Sequence, residues 1–212
     1  MLTQLRRSVV LCLVALVVFG LGYPLLGVGL SQLFFRHQAD GSITVNGSTS
    51  IGQNWSDTKC PGHPLGSCVF QGRPDDLGPY SDANAKTPSP VGHPGDDPLV
   101  ANGVAGGSGA TNLGPRSAEL ESYTKILIAY WHHRGVDPTS DLVTTSGSGV
   151  DPDITPADAL AEIPMVSRAT GLSDPVLRHL ISRQTRGAEL GFLGSPYLNV
   201  LELNEALVKL QK

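Results

Sequence analysis

The sequence predicts a single N-terminal transmembrane helix followed by one α/β domain, of the α+β kind, outside the cytoplasm, with short strands and about four helices. Three observations carry this. Residues 8–35 hold no charged side chain. The remaining chain is long enough for one domain with a core and too short for two of ordinary size. Along it, brief apolar alternation between glycines gives way to segments with apolar residues spaced by three and four.

The uncharged run, SVVLCLVALVVFGLGYPLLGVGLSQLFF, lies between Arg7 and Arg36. A bilayer core of roughly 30 Å needs about 20 helical residues, so the run can span with some tilt. A cleaved signal would show a shorter apolar stretch and a small-x-small site, and neither is present around Phe34-Phe35-Arg36-His37-Gln38. The expected layout is a cytoplasmic N-terminus at 1–7, the membrane helix at 8–35 and the outer domain at 36–212. Arg6 and Arg7 before the span set that orientation, because positive charge stays on the cytoplasmic side. Gly20, Gly22, Gly27 and Gly29 are candidate helix-packing positions, since small residues let another helix approach closely in lipid. Pro24 adds a breaker that neighbouring helices can help to accommodate.

Beyond the span, Ser42-Ile43-Thr44-Val45, the residues around Ile51, and Cys68-Val69-Phe70-Gln71 read as short strands. Residues 72–114 are crowded with Gly, Pro, Asn, Asp and Ser and read as a long surface excursion. Ser117 is an N-cap candidate for a helix buried through Leu120, Tyr123, Leu127 and Tyr130, stopped by Gly135 and Asp137-Pro138. Asp141-Leu142-Val143-Thr144 reads as a strand entering the turn Ser146-Gly147-Ser148-Gly149. Thr155-Pro156-Ala157-Asp158 has the parts of a capped helix start, with Ala159, Leu160 and Ile163 on its apolar face. Pro164 is expected to kink or end that helix, and Gly171 to close a further turn. Ser173 starts another helix, buried through Val176, Leu177, Leu180 and Ile181. A strand at Leu198, Asn199 and Val200 and a helix carrying Leu203, Leu207 and Leu210 complete the chain.

Net charge is −4, so no basic field favours nucleic acid. Of three cysteines, Cys12 lies in the span and reads as a small apolar residue. Cys60 and Cys68 flank a short PGHPLGS loop, where an oxidising exterior favours a disulfide. A metal site with His63 lacks a convincing fourth ligand, and two free thiols are the remaining alternative. His132 and His133 point about 100° apart on a helix and are poorly placed to share an ion. Asp151, Asp153 and Asp158 resemble part of a calcium loop, without its glycine and terminal glutamate. The SGSG turn could hold an anion on its amides, but neither GxxxxGK[ST] nor GxGxxG is present. GxSxG and HExxH are missing as well, which leaves no nucleophile or metal-hydrolase constellation.

Several ordered motifs resemble the KdpC family, the C chain of the bacterial potassium-transporting Kdp ATPase. They are Gly47-Ser48 with Ile51-Gly52-Gln53, Phe70-Gln71-Gly72-Arg73-Pro74, Thr111-Asn112-Leu113-Gly114-Pro115, Asp141 to Thr144 with Ser146 to Pro152, and Asn199-Val200-Leu201 with Leu203-Asn204. The likeness covers essentially the whole chain, its single helix included. It departs at Asp153, where the family commonly has histidine, and in a longer stretch from about Asp75 to Asn102. The resemblance implies an accessory subunit of an ATP-driven potassium importer. In that family the A chain supplies the potassium path, the B chain hydrolyses ATP, and the C chain has been proposed as a catalytic chaperone raising the B chain's ATP affinity. The small F chain is a further candidate partner, beside the lipid bilayer. ATP and potassium then belong to the complex, with no cofactor expected on this chain alone. One helix cannot enclose a pore, and the chain has no DKTGT phosphorylation motif. Ser146, Gly147, Ser148, Gly149 and Asp151 are expected to form a turn facing the partner chains. The competing class is a membrane-tethered enzyme or anion-binding protein using that same loop.

Overall fold

The structure, a computed structural model, describes residues 2–53, 55, 58–74 and 111–211. It divides into two compact units, residues 1–43 and 44–212. The expected excursion at 72–114 falls mostly outside the described residues.

In the first unit a continuous helix runs over Leu2–Phe34, 33 residues, long and apolar enough to cross a membrane, with none of its residues buried. It begins as α1 (Leu2–Ala15), widens to a π-helical stretch over Leu16–Gly22, and continues as α2 (Tyr23–Phe34). The widening has a local cause. Pro24 has no N–H and its ring crowds the carbonyl four residues back, so a wider turn relieves the clash. Tyr23 N–H accordingly donates to Val18 O, five residues back. Gly20, Gly22 and Pro24 therefore reshape the helix without breaking it. A short α3 (Arg36–Ala39) follows.

At the division between the units comes a tight hairpin, β1 (Ile43–Thr44) with β2 (Gly47–Ser48). Ser42 and Val45 lie outside the strands, and the strand expected around Ile51 is a turn, in which Ser48 Oγ accepts from the N–H of Ser50 and Ile51 at 3.1 Å.

The helices carry the core. α4 (Ala118–His133) starts where Ser117 Oγ accepts from Leu120 N–H, and it buries Tyr123, Leu127 and Trp131. This i, i+4 series makes Trp131, not Tyr130, the last buried residue; its Nε1–H donates to Leu142 O at 2.9 Å, while half-buried Tyr130 carries the Arg134 guanidinium 4.4 Å above its ring. The strand expected at Asp141 to Thr144 is instead a 3₁₀ turn, Asp141–Val143. Leu142 and Val143 are both buried on it.

β3 (Asp153–Ile154) leads into α5 (Pro156–Thr170) through a reciprocal cap: Thr155 Oγ1 accepts from Asp158 N–H, and Asp158 Oδ2 accepts from Thr155 N–H. Pro164 does not end this helix, which runs on to left-handed Gly171 at φ 73°. The carbonyl it leaves unbonded is that of Leu160, an exposed residue, where water can reach it. α5 packs on α6 (Asp174–Gln184), which buries Leu177, Leu180 and Ile181 but leaves Val176 at the exposed edge. A hairpin joined at Arg186 with Tyr197 and at Glu189 with Leu193 then leads to β4 (Leu198–Asn199). β4 pairs antiparallel with β3, Asp153 opposite Asn199 and Ile154 opposite Leu198. Val200, expected in that strand, instead begins α7 (Val200–Leu210), which buries Leu203 and Leu207 and exposes Leu210.

Phe70 is fully buried at the centre of this core, yet its segment, expected as a strand from Cys68 to Gln71, pairs with no ladder. Side chains hold it instead. Asn204 of α7 accepts from Phe70 N–H at 2.8 Å and donates to Phe70 O at 2.9 Å. Glu162 of α5 accepts from Gln71 N–H at 2.9 Å, and the Gln71 amide donates to Gly66 O at 2.7 Å.

Candidate functional site

Four segments far apart in sequence meet at one small cleft, lined by Ser48 and Gly52 from the first, Gln71 and Arg73 from the second, Gly149 and Asp151 from the third, and Val200 and Leu201 from α7. The junctions are made by close backbone approaches and by side chains bonded across them. Gly52 N–H donates to Val150 O at 2.7 Å, and a Cβ on Gly52 would stand 2.6 Å from Asp151 O, so no larger residue fits without moving backbone. Asn199 Nδ2 bridges Thr49 O at 2.9 Å and the Asp153 carboxylate at 3.0 Å, while its Oδ1 caps α7 through Glu202 N–H. Val200 N–H reaches Pro152 O at 3.0 Å. Arg73 donates to Thr145 O at 3.1 Å, just before the glycine-rich turn.

That turn closes on itself. Gly149 N–H donates to Ser146 Oγ at 2.9 Å, and Val150 N–H to Ser148 Oγ at 3.3 Å. The amides that could have met an anion at 149 and 150 are thus already bonded. Gly149 has φ 70°, a conformation that suits glycine, whereas Gly147 has ordinary backbone and open space at its Cβ position. Ser146 and Gly149 are buried, Gly147 and Ser148 exposed, Asp151 half-buried.

The acidic trio does not form one site. Asp158 is buried in its cap and accepts from the Thr139 hydroxyl, Asp151 accepts from Asp153 N–H, and Asp153 holds Asn199. Burial raises the Asp153 carboxyl, against the opposing effect of the Asn199 amide. Among the described residues no group of His, Cys, Asp and Glu is arranged to hold a metal ion. His132 and His133 are both exposed. Cys60 and Cys68 are bonded to each other, with Cα atoms 5.6 Å apart, and Cys12 is free and exposed on the apolar helix. Gly27 and Gly29 have open space where side chains would be, and Gly20 would meet only Leu16 of its own helix.

The family of the C chain of the K+-transporting ATPase, KdpC, matches residues 5–209. This chain belongs to the KdpC family. A potassium-transporting ATPase KdpC subunit of Methylorubrum extorquens is 38% identical over 219 residues, covering 100% of both chains. Subunits of the same description from Koribacter versatilis and Rhodopseudomonas palustris are 36% and 37% identical, over 95% and 98% of this chain and 92% and 97% of theirs. Parts of the motifs at 47–53, 70–74, 146–152 and 199–201 meet at the cleft, with Asn204 behind them holding Phe70, whereas the motifs at 111–115 and 141–144 are not among its described lining residues.

The pairing of Glu162 and Asn204 with one buried segment was not read from the sequence. A signal existed. Both are polar residues set among the apolar positions of their helices, Glu162 beside Ile163 and Val166, Asn204 beside Leu203 and Leu207. Burial pushes the Glu162 carboxyl well above the usual range, the Gln71 N–H opposes that, and the nearby Asp158 charge adds to it. Among the described residues its Oε1 finds no hydrogen-bond partner.

Proposed function

We infer that this chain is a non-catalytic accessory subunit of an ATP-driven potassium importer, held in the cell membrane by its apolar helix. The observation that carries this is the end-to-end match with curated KdpC subunits. Its partners on this reading are the potassium-translocating A chain and the ATP-hydrolysing B chain, with the small F chain beside them. The N-terminus lies in the cytoplasm and residues 36–212 outside it, in keeping with Arg6 and Arg7 ahead of the span. A domain so placed meets no ATP. Any rise in the B chain's ATP affinity then travels through assembly and helix packing, as a coupling free energy between distant sites. The turn from Ser146 to Asp151 is a rigid surface feature facing the partners, and the internal bonding of its amides argues against an anion-binding enzyme.

The test is purification of the tagged full chain from its own membranes. Two large polytopic subunits should accompany it, and removing the chain should abolish growth on scarce potassium. Purification without them, or growth unaffected by its loss, would overturn the reading. A Lys209→Cys variant checks orientation: an impermeant thiol reagent should label it in intact cells.

A further inference from the structure

The hairpin between α6 and β4 ends in an apolar tip that the core does not take up. Leu190 is 83% exposed, Phe192 74% and Leu193 50%. None of the three belongs to the core cluster.

The tip is nonetheless held in shape by its own backbone. Glu189 and Leu193 exchange both backbone bonds at 2.9 Å, Gly191 N–H donates to Ala188 O at 3.1 Å, and Phe192 N–H to Glu189 O at 3.2 Å. At the base, Arg186 and Tyr197 exchange bonds at 2.8 and 3.0 Å. The turn sets Leu190 at φ 53° and Gly191 at φ 80°. Two successive residues at positive φ suit the hairpin turns that take asparagine, aspartate or glycine, so a leucine in the first place opposes the local preference. Packing within the domain does not offset this, because the leucine side chain lies in water.

We propose that Leu190, Phe192 and Leu193 insert as an apolar plug into a pocket of a polytopic partner subunit, on the side of the membrane where this domain lies. Large apolar side chains grouped on an exposed surface with polar neighbours mark a docking site, and an aromatic ring entering a pocket is a common form of interface anchor. Lipid is the poorer occupant. Glu189 lies opposite Leu193 in the hairpin, so their side chains share one face, and sinking the tip among acyl chains would strip water from an exposed carboxylate. A protein pocket can leave that face at its rim. A second copy of this chain is the poorer occupant too: the tip presents on the order of 400 Å², about half of the roughly 800 Å² per partner in a stable interface. Such an area suits a subunit already held beside this chain in one membrane complex. The proposal rests on the accessory-subunit reading, and adds the place and form of one contact.

The experiment uses the full chain in its complex, with a photoreactive phenylalanine analogue at Phe192, or at exposed His179 on α6 as a control. Illumination at Phe192 should give an adduct that mass spectrometry maps to a transporter subunit, and illumination at His179 should not. A second variant, Leu190→Gly with Phe192→Ser, removes two tip side chains and leaves the turn a residue that accepts positive φ. Its complex should dissociate about tenfold faster, as for loss of an interface anchor, while the melting temperature of the full chain alone is unchanged or higher. Dissociation at the unaltered rate, no adduct at Phe192, or adducts confined to lipid, to a second copy or to residues 75–110 of this chain would overturn the plug and leave the subunit reading standing. Failure of the unaltered chain to copurify with any transporter subunit would overturn the subunit reading, and the plug with it.

Discussion

The helix over Leu2–Phe34 and the segment around Phe70 solve the same problem in opposite ways. Both place backbone where water is scarce, and every N–H and C=O there needs a partner. The helix supplies its own through local bonds, down to the widened turn where Tyr23 reaches Val18, and turns all its apolar side chains outward. The Phe70 segment supplies almost none. Its N–H and C=O are taken by Asn204, the next N–H by Glu162, and its phenyl ring points into the core. Local bonding makes an element indifferent to its neighbours, whereas borrowed bonding makes it depend on residues 91 and 134 positions away.

The strongest way to break the second solution is Asn204→Leu. Two buried backbone groups at Phe70 would lose their partners, at about 1–3 kcal/mol each. Denaturant unfolding of the full chain in detergent should show a loss on the order of 2–6 kcal/mol. A loss under 1 kcal/mol would mean that the segment is held by its side chains alone.

The disulfide sharpens the comparison, since it staples the loop leading into the same segment. Replacing Cys60 and Cys68 by serine should cost about 2–3 kcal/mol through the freed unfolded chain. Alkylation of membrane-derived protein before reduction should leave both residues unmodified. Labelled thiols at both positions would count against the bridge in the native chain.

Gly149→Val should destabilise by about 1–3 kcal/mol, because a β-branched residue is forced to positive φ. Gly147→Val, at open space, should change stability by less than about 0.5 kcal/mol, the ordinary range for a surface change. Equal effects in thermal melts would remove the conformational distinction between the two glycines.

Glu162 gives the borrowed solution a pH dependence. Burial raises its carboxyl well above the usual range in the fold, while it titrates normally in the unfolded chain, so the fold binds the proton more tightly. That contribution is complete below the ordinary carboxylate range. It is lost as pH rises from there toward the raised folded value, with a slope of up to about 1.4 kcal/mol per pH unit. Glu162→Gln keeps an acceptor for Gln71 N–H and should flatten stability against pH over that window. An unchanged slope would show that Glu162 is ionised in the fold.

The self-bonded helix should respond least. Gly22→Leu or Gly27→Leu should leave insertion and the domain's melting temperature unchanged, since leucine favours the bilayer. Copurification with the two large subunits should nonetheless weaken if small residues there admit another helix. An unrelated leucine-rich span that supports full assembly would show that the outer domain alone carries the interaction.

Elements whose bonds and caps are local were legible in the sequence. The apolar helix, the Ser117 cap and the Thr155–Asp158 capping box each follow from residues within one turn of each other. Pro164 misled because its cost depends on whether the carbonyl behind it meets water, and Asp141 to Thr144 because a short apolar pair can face one side of a 3₁₀ turn as readily as a strand. Four of the motifs named the segments of the cleft, but nothing local brings Gly52 against Val150 or Asn204 against Phe70. By itself the sequence determined a membrane-length helix and a capped, amphipathic set of helices after it, because those rest on bonds between neighbours. Tertiary structure alone decided that Phe70 is held by side chains and not by a strand, that Glu162 is buried with its carboxyl raised, and that His63, His133, Arg134 and Arg168 line one groove, because each requires distant segments to exclude water together.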